Sequence, residues 1–383
     1  MKHNRKIIYL AGFLFSLPIA FNSYINSSFL SSFINEQYVG IVYALASLGS
    51  ILALILAPKI FKKIGGYHFL LFITLFDALS ILAFALVQNT LSAILIFIVG
   101  LSLNTLIIFS LDEILKIFSK DGATGKIRGT YIAICNLAWI ISQIASGTIL
   151  GGFSFRMIYL VSFMIMTLFL FIIFLKLKNI PDPKYDKIQS LKYIKEFFKN
   201  KNLFRAYGLT FLLQFFYSWM VIYTPIYLSA HLGFEWKEIG IIFATMLLPF
   251  SIIPFNLGKY GDKIGERKIL MFGFAIAAFS TLSLFFITEH TIFIWASLLF
   301  VTRIGAATIE VMSDSYFFKH IKPESEEFVG VYRSASPVAY IIGPLMASMI
   351  FIFVPSFNFI YIVLGTFMLL GIYLSSTIKK SDI

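Results

Sequence analysis

The segment VTRIGAATIEVMSDSYFFK, residues 301–319, spaces Arg303, Ala307, Glu310 and Asp314 by four, three and four. On a helix those steps put a guanidinium, a small residue and two carboxylates on one face. Small residues beside Arg303 leave room for a solute or for a closely packed neighbour. Two carboxylates one turn apart in a poorly hydrated site disfavour double ionisation, so one of them is expected to hold a proton. Arg333, in the next apolar stretch, falls at about the depth of Asp314. We expect a division of labour: Asp314–Arg333 as a gate ion pair, and Glu310, with Arg303, as the group that carries a proton or meets a substrate. The competing reading is one satisfied salt-bridge network with a purely structural role.

That chemistry needs elements to hold it, and the composition says which. Of 383 residues, 59% are hydrophobic and only 13% charged, with a mean hydropathy of +0.87. Soluble domains carry about 25% charged residues. Apolar runs of about 20 residues are the length of a bilayer-spanning helix. Twelve such runs lie near 7–33, 38–60, 67–88, 91–118, 127–151, 154–176, 203–231, 237–258, 267–288, 291–319, 328–353 and 356–378, with ends good to a few residues. The expected fold is an all-α membrane protein of twelve transmembrane helices. The first run follows the basic stretch MKHNRK but is longer than a signal-peptide core and lacks a small-residue cleavage site, so we read it as a retained helix. The single cysteine, Cys135, sits in an apolar run and offers neither a disulfide framework nor a metal cluster.

Lys and Arg orient the spans. With the first end cytoplasmic, 27 of the 31 fall in inside segments, Arg156 and Lys237 fall outside, and Arg303 and Arg333 lie within spans. This follows the positive-inside rule. Both termini are therefore expected in the cytoplasm, with the protein multi-pass in the plasma (inner) membrane. The net charge of +12 then reflects topology and contact with anionic membrane lipids, and no nucleic-acid partner is expected. The longest inside loop, NIPDPKYDKIQSLKYIKEFFKNKN, opens on a Pro-Asp-Pro break. Ile188, Leu191, Ile194 and Phe198 then recur at helical spacing among lysines. An interfacial amphipathic helix and a solvated linker both fit.

The chain also repeats itself. LGKYGDKIGERKILMF (257–272) matches APKIFKKIGGYHFLLF (57–72) without a gap at Lys59/Lys259, Lys63/Lys263, Ile64/Ile264, Gly65/Gly265, Leu70/Leu270 and Phe72/Phe272. GIVYA (40–44) matches GIIFA (240–244) at the same offset, and Gly129/Gly330 and Glu113/Asp314 align at 201. The chain divides into two six-helix bundles of parallel topology, residues 1–176 and 203–383, joined by a basic cytoplasmic linker at 177–202. Repeats of this kind frame a transport path at the interface between halves.

The twelve spans as six plus six, the basic central loop and GKYGDKIGERK between the eighth and ninth spans resemble the major facilitator superfamily. Gly258, Asp262, Lys263, Gly265, Arg267 and Lys268 fill its signature loop G-x-x-x-D-(R/K)-x-G-x-(R/K)-(R/K). The copy after the second span keeps Lys63 and Gly65, but Pro58 replaces the Gly, Lys62 the Asp, and Tyr67-His68 the basic pair. The loop reads either as a latch that holds the cytoplasmic side closed in one state, with Asp262 pairing or capping, or as a short anchored turn. The segment around Arg303 is similar to one the family carries in its fourth helix, where this chain has Ser102. SGTILGG (146–152) resembles the antiporter motif of the fifth helix, with Thr148 in place of Pro.

The resemblance implies that the first, fourth, seventh and tenth helices line the cavity. Asn22, Asn26, Asn104, Gln214, Tyr217 and Ser218 lie on three of them and would make a mostly neutral, hydrogen-bonding wall; interhelical hydrogen bonds are the alternative use. Glu113, the repeat mate of Asp314, and Arg128 look like the gate pair of the first half. Asp77, in LFDALS, lies mid-span on the third helix, which the resemblance makes peripheral. We expect it to pack against a polar neighbour, with protonation as the other use. An ionisable group in mid-span costs roughly 2.5–3.5 kcal/mol on insertion scales and is a functional hypothesis by default.

These features point to a secondary active transporter of a small-molecule substrate, monomeric and without cofactor, driven by a proton gradient. There is no phosphate-binding loop for ATP and no metal signature. Export of a hydrophobic or amphiphilic compound fits the aromatic, mostly neutral path; import of a small nutrient such as a sugar is the alternative. A membrane receptor would need a sizeable extramembrane domain, and an enzyme a clustered nucleophile and base; the sequence shows neither.

Overall fold

Apolar runs this long leave backbone groups that lipid cannot satisfy, so helix is the conformation open to them. The computed structural model describes residues 2–118, 124–178, 191–253, 257, 264–321 and 326–378. Its helices are α1 (Lys2–Ser23), α2 (Asn26–Leu30), α3 (Glu36–Ile64), α4 (Gly66–Leu86), α5 (Thr90–Phe118), α6 (Thr124–Gly152), α7 (Phe155–Lys176), α8 (Leu191–Lys199), α9 (Lys201–Ile226), α10 (Trp236–Leu247), α11 (Pro249–Ile252), α12 (Glu266–Leu284), α13 (Ile292–Lys319), α14 (Glu326–Arg333), α15 (Ala335–Ile350) and α16 (Phe359–Ser376). Over the described residues, each of the twelve expected spans is mainly helical.

Three spans are broken. The first parts between α1 and α2 at Tyr24–Ile25, one step beyond Ser23, whose hydroxyl donates back to the Ile19 carbonyl at 2.7 Å. Such back-bonding bends helices. The eighth parts at Leu248, because Pro249 has no N–H to give the ladder. The eleventh parts at Ser334, whose hydroxyl donates to the Val331 carbonyl at 2.6 Å. Among the described residues, ten helices are each long and apolar enough to cross a bilayer alone; the eighth and eleventh spans are each divided into shorter helices.

Contacts divide the chain into two compact units. Unit 1 is Met1–Ile188 with Glu235–Gly240, and unit 2 is Gln189–Phe234 with Ile241–Ile383. In unit 1, α1 packs on α6 and α7, α3 on α5, and α4 on α7 and α5. Helix α4 shows how the pattern works in lipid. Ile73, Asp77, Ile81 and Phe84 step by four, four and three along its buried face, while Phe72, Phe76 and Leu79 stay exposed. The apolar residues on both faces make the span; the buried stripe decides its rotation. Gly147 approaches Gly240 so closely that a Cβ on Gly147 would lie 2.8 Å from the Gly240 Cα.

In unit 2, α12 packs on α13 and α16, and α9 packs on α15, α13 and α16. Gly305 permits the α12–α13 approach: a Cβ there would meet Ala277 N and Gly273 O at 2.6 Å. Short α8 buries Phe197 fully, 5.7 Å from the Phe328 ring and 6.1 Å from Tyr207. Ile194 and Phe198, the apolar stripe expected from the sequence, are exposed.

The repeated turn has the same backbone in both copies. Gly65 (φ 80°) precedes α4 and Gly265 (φ 86°) precedes α12. This left-handed conformation is open to glycine at no steric cost. The first copy is otherwise not a loop. Helix α3 continues through Pro58 to Ile64, so Gly65 alone makes the turn.

Candidate functional site

The charged face of α13 meets α9 and the start of the eleventh span within unit 2. Tyr217 on α9 donates its hydroxyl to Glu310 Oε2 at 2.9 Å. The same ring lies 5.5 Å from Arg303 Cζ, and the Phe216 ring lies 5.1 Å from it. Arg303 is 1% exposed, and its Nε and Nη1 have no hydrogen-bond partner. The cation is held by aromatic faces, an attraction that strengthens when desolvated. Glu310, two turns further along, is exposed. Phe250, whose ring is 6.1 Å from Tyr217, adds a third aromatic face.

One turn beyond Glu310, Arg333 Nη2 lies 2.9 Å from Asp314 Oδ2 and Nη1 lies 3.4 Å from Oδ1. Two nearly parallel N–H···O contacts give such a pair geometric specificity. Tyr332 also donates to Asp314 Oδ1, at 2.9 Å, while Thr210 on α9 donates to the Tyr332 hydroxyl. The Tyr332 ring stacks on Phe317 with centroids 3.9 Å apart and planes 5° apart. Asp314 is thus held by two residues of α14 and tied through one of them to α9.

Gln214 accepts from Ser336 at 2.9 Å, on the same side of α9 as Tyr217. Ser218 is fully buried; it donates to the Phe215 carbonyl and packs against Gly343. It sits inside a helix contact rather than on an open wall. Trp219 and Tyr223 donate to the carbonyls of Gly343 and Pro344 at 2.8 and 3.2 Å.

Unit 1 holds a pocket of its own, with a cavity volume of about 160 Å³. Asn22, Asn26, Asp77, Asn104, Phe84 and Tyr159 are among its walls. The break between α1 and α2 sets the two asparagines on either side of a turn. Asn22 Oδ1 accepts from Ser162 at 3.0 Å, and Asn26 Oδ1 accepts from the Tyr159 hydroxyl at 2.8 Å. The asparagines therefore serve as interhelical glue and as pocket wall together. Asp77 shares the pocket wall with Ser80 and Asn104, as a polar neighbour was expected to do, yet it is 0% exposed and neither carboxylate oxygen has a hydrogen-bond partner.

Other expected residues belong to neither cluster's contacts or lie outside the described residues. Gly258, Asp262 and Lys263 lie outside the described residues, as do the side chain of Arg128 and Ile188. Glu113 is buried near the end of α5. Lys63, Arg267 and Lys268 are exposed. Between the glycine and the basic pair, Glu266 was passed over in the sequence. It is 6% exposed, pairs with Lys319 at 2.6 Å and accepts from Ser315 at 3.3 Å. Its acidity inside a basic motif was the available signal. Tyr332, Phe216, Tyr159 and Ser336 gave none, because aromatic and hydroxyl residues are common throughout these spans.

The family model described as Major Facilitator Superfamily matches residues 7–240 and 225–380. No curated protein matches the sequence at a significant level. Among solved structures, the POT family transporter PepTSo is similar at TM-score 0.80 and 12% identity, over 98% of this chain and 97% of that one. A variant of the nucleoside transporter NupG is similar at TM-score 0.79 and 12% identity, over 97% and 98%. A bacterial homologue of the human lysosomal transporter Spinster, inward-facing and unoccupied, is similar at TM-score 0.75 and 12% identity, over 98% and 93%. At such identities the likeness shows the fold alone.

Proposed function

Because the chain belongs to the major facilitator superfamily, we propose that it is a secondary active transporter that exports a small amphiphilic solute by alternating access, coupled to proton entry. The observation that carries this reading is the cluster on α13 and α9: an unpaired buried guanidinium, two aromatic faces and an accessible carboxylate, linked by Tyr217.

The chemistry follows from the geometry. A solute with a carboxylate or carbonyl head would give Arg303 the acceptor it lacks, while Phe216, Tyr217 and Phe250 take its apolar part. Tyr217 covers Arg303 only while its hydroxyl holds Glu310. A proton on Glu310 weakens that bond, because a hydrogen bond to an ionised acceptor is about twice as strong as a neutral one. Proton binding and uncovering of Arg303 are thereby linked through one side chain. Asp314–Arg333 acts as a gate pair, and Glu113 with Arg128 does the same in the first half. The signature loop latches the cytoplasmic side. The two halves, 1–176 and 203–383, rock about the linker at 177–202. The protein acts as a monomer in the plasma (inner) membrane with both termini cytoplasmic, a placement supported by the Lys and Arg distribution.

Uptake of a small polar nutrient is the second reading, favoured by the Gln214–Ser336 pair on the same side of α9. Dye and drug accumulation in efflux-deficient bacteria separates the two. Export lowers accumulation in cells with the wild-type protein, and the effect disappears with Glu310→Gln or when the proton gradient is collapsed. Equal accumulation across a broad panel rejects export and leaves uptake into proteoliposomes as the assay.

A further inference from the structure

We infer that unit 1 contains a cation site of its own, in which the Asp77 carboxylate and the Asn104 amide oxygen hold a monovalent cation, either a proton or an alkali-metal ion. Asp77 lies on the buried face of α4 and lines the 160 Å³ pocket, with both oxygens free of hydrogen bonds. Asn104 Oδ1, on the α5 wall, is also buried and unpartnered, because Asn104 Nδ2 donates to the Gly100 carbonyl at 3.0 Å.

The hydroxyls on the pocket wall donate elsewhere. Ser23 donates to Ile19 O at 2.7 Å, Thr105 to Leu101 O at 2.9 Å and Ser80 to Ile96 O at 3.4 Å. What these groups leave for the pocket is lone pairs. A set of oxygen acceptors around one carboxylate is the donor set of a hard cation, and a carboxylate buried without a compensating charge is strongly disfavoured. No basic side chain is on the pocket wall. Besides Asp77, the one titratable wall residue is Tyr159 on α7, which donates to Asn26; Tyr43 on α3 stands behind the wall, 4.8 Å from the Phe97 ring. The site is separate from the Arg303–Glu310 cluster, and its test requires no transport.

The test is thermal unfolding of the full chain in detergent, wild type against Asp77→Asn. Sodium or lithium chloride is titrated against N-methylglucamine chloride at equal ionic strength, and each salt is repeated from mildly acid to mildly alkaline pH. An alkali ion raises the wild-type Tm by about 2–4 °C, and Asp77→Asn loses the response. A proton instead gives a wild-type Tm that falls as pH rises, with no effect of sodium or lithium and a flatter profile in Asp77→Asn. Asn104→Ala keeps the carboxylate and is expected to weaken whichever response is seen, which guards against a variant that fails to fold. If wild type and Asp77→Asn respond identically to both salt and pH, the pocket holds water only and the inference is wrong.

Discussion

The Tyr217 hydroxyl donates to Glu310 across 2.9 Å while its ring lies 5.5 Å from Arg303 Cζ. One side chain thus touches both an exposed carboxylate and a buried cation two turns away on the same helix.

Tyr217→Phe keeps the aromatic ring but removes the hydrogen bond to Glu310 that holds it over Arg303. We expect gradient-driven transport to fall about 10-fold, the worth of a hydrogen bond to a charged group. Glu310→Gln should abolish the drive by a pH gradient while leaving solute counterflow. Proteoliposomes assayed in both modes check this; counterflow lost together with net transport would make Glu310 a solute contact instead.

Arg303→Lys retains the charge but not the planar fork that stacks on Phe216 and Tyr217. Transport is expected to drop about 10-fold in Arg303→Lys and further in Arg303→Met, with normal membrane yield. Equal activity of wild type and Arg303→Met would remove Arg303 from the solute path.

Asp314 and Arg333 test a gate by exchange. Asp314→Asn or Arg333→Gln alone should lower transport, and the double swap Asp314→Arg with Arg333→Asp should restore part of it. Contacting pairs couple by about 0.5–3 kcal/mol. Strict additivity of the single changes would show that the pair does not act as a unit.

Gly305→Leu places side-chain atoms where a Cβ already meets Ala277 N and Gly273 O at 2.6 Å. The expected cost is about 1–3 kcal/mol or more, read as a lower Tm in detergent. The same change at Gly152, where a Cβ meets nothing within 4 Å, should leave Tm nearly unchanged.

Lys319→Met leaves Glu266 buried without its cation, whereas Glu266→Gln removes the buried charge itself. The first change should therefore lower Tm more than the second, by about 1–3 kcal/mol of stability. The reverse order would mean that Ser315 alone satisfies Glu266.

Much was settled by the sequence alone. Spans, their number, the doubled architecture and the turn glycines were legible because lipid forces helix on long apolar runs and only glycine adopts the φ of Gly65 and Gly265. The shared face of Arg303, Glu310 and Asp314 was legible from helical periodicity. Rotation and partnership were not. In lipid both faces of α4 are apolar, so only packing against α5 and α7 turned Asp77 inward and left its oxygens without a hydrogen-bond partner. Likewise Tyr217, Phe216 and Tyr332 stand among many aromatics, and only the approach of α9 and α14 to α13 decided which of them meet charge. Hydrophobicity fixes what must be helical; close packing, which depends on distant residues together, fixes which way each helix faces.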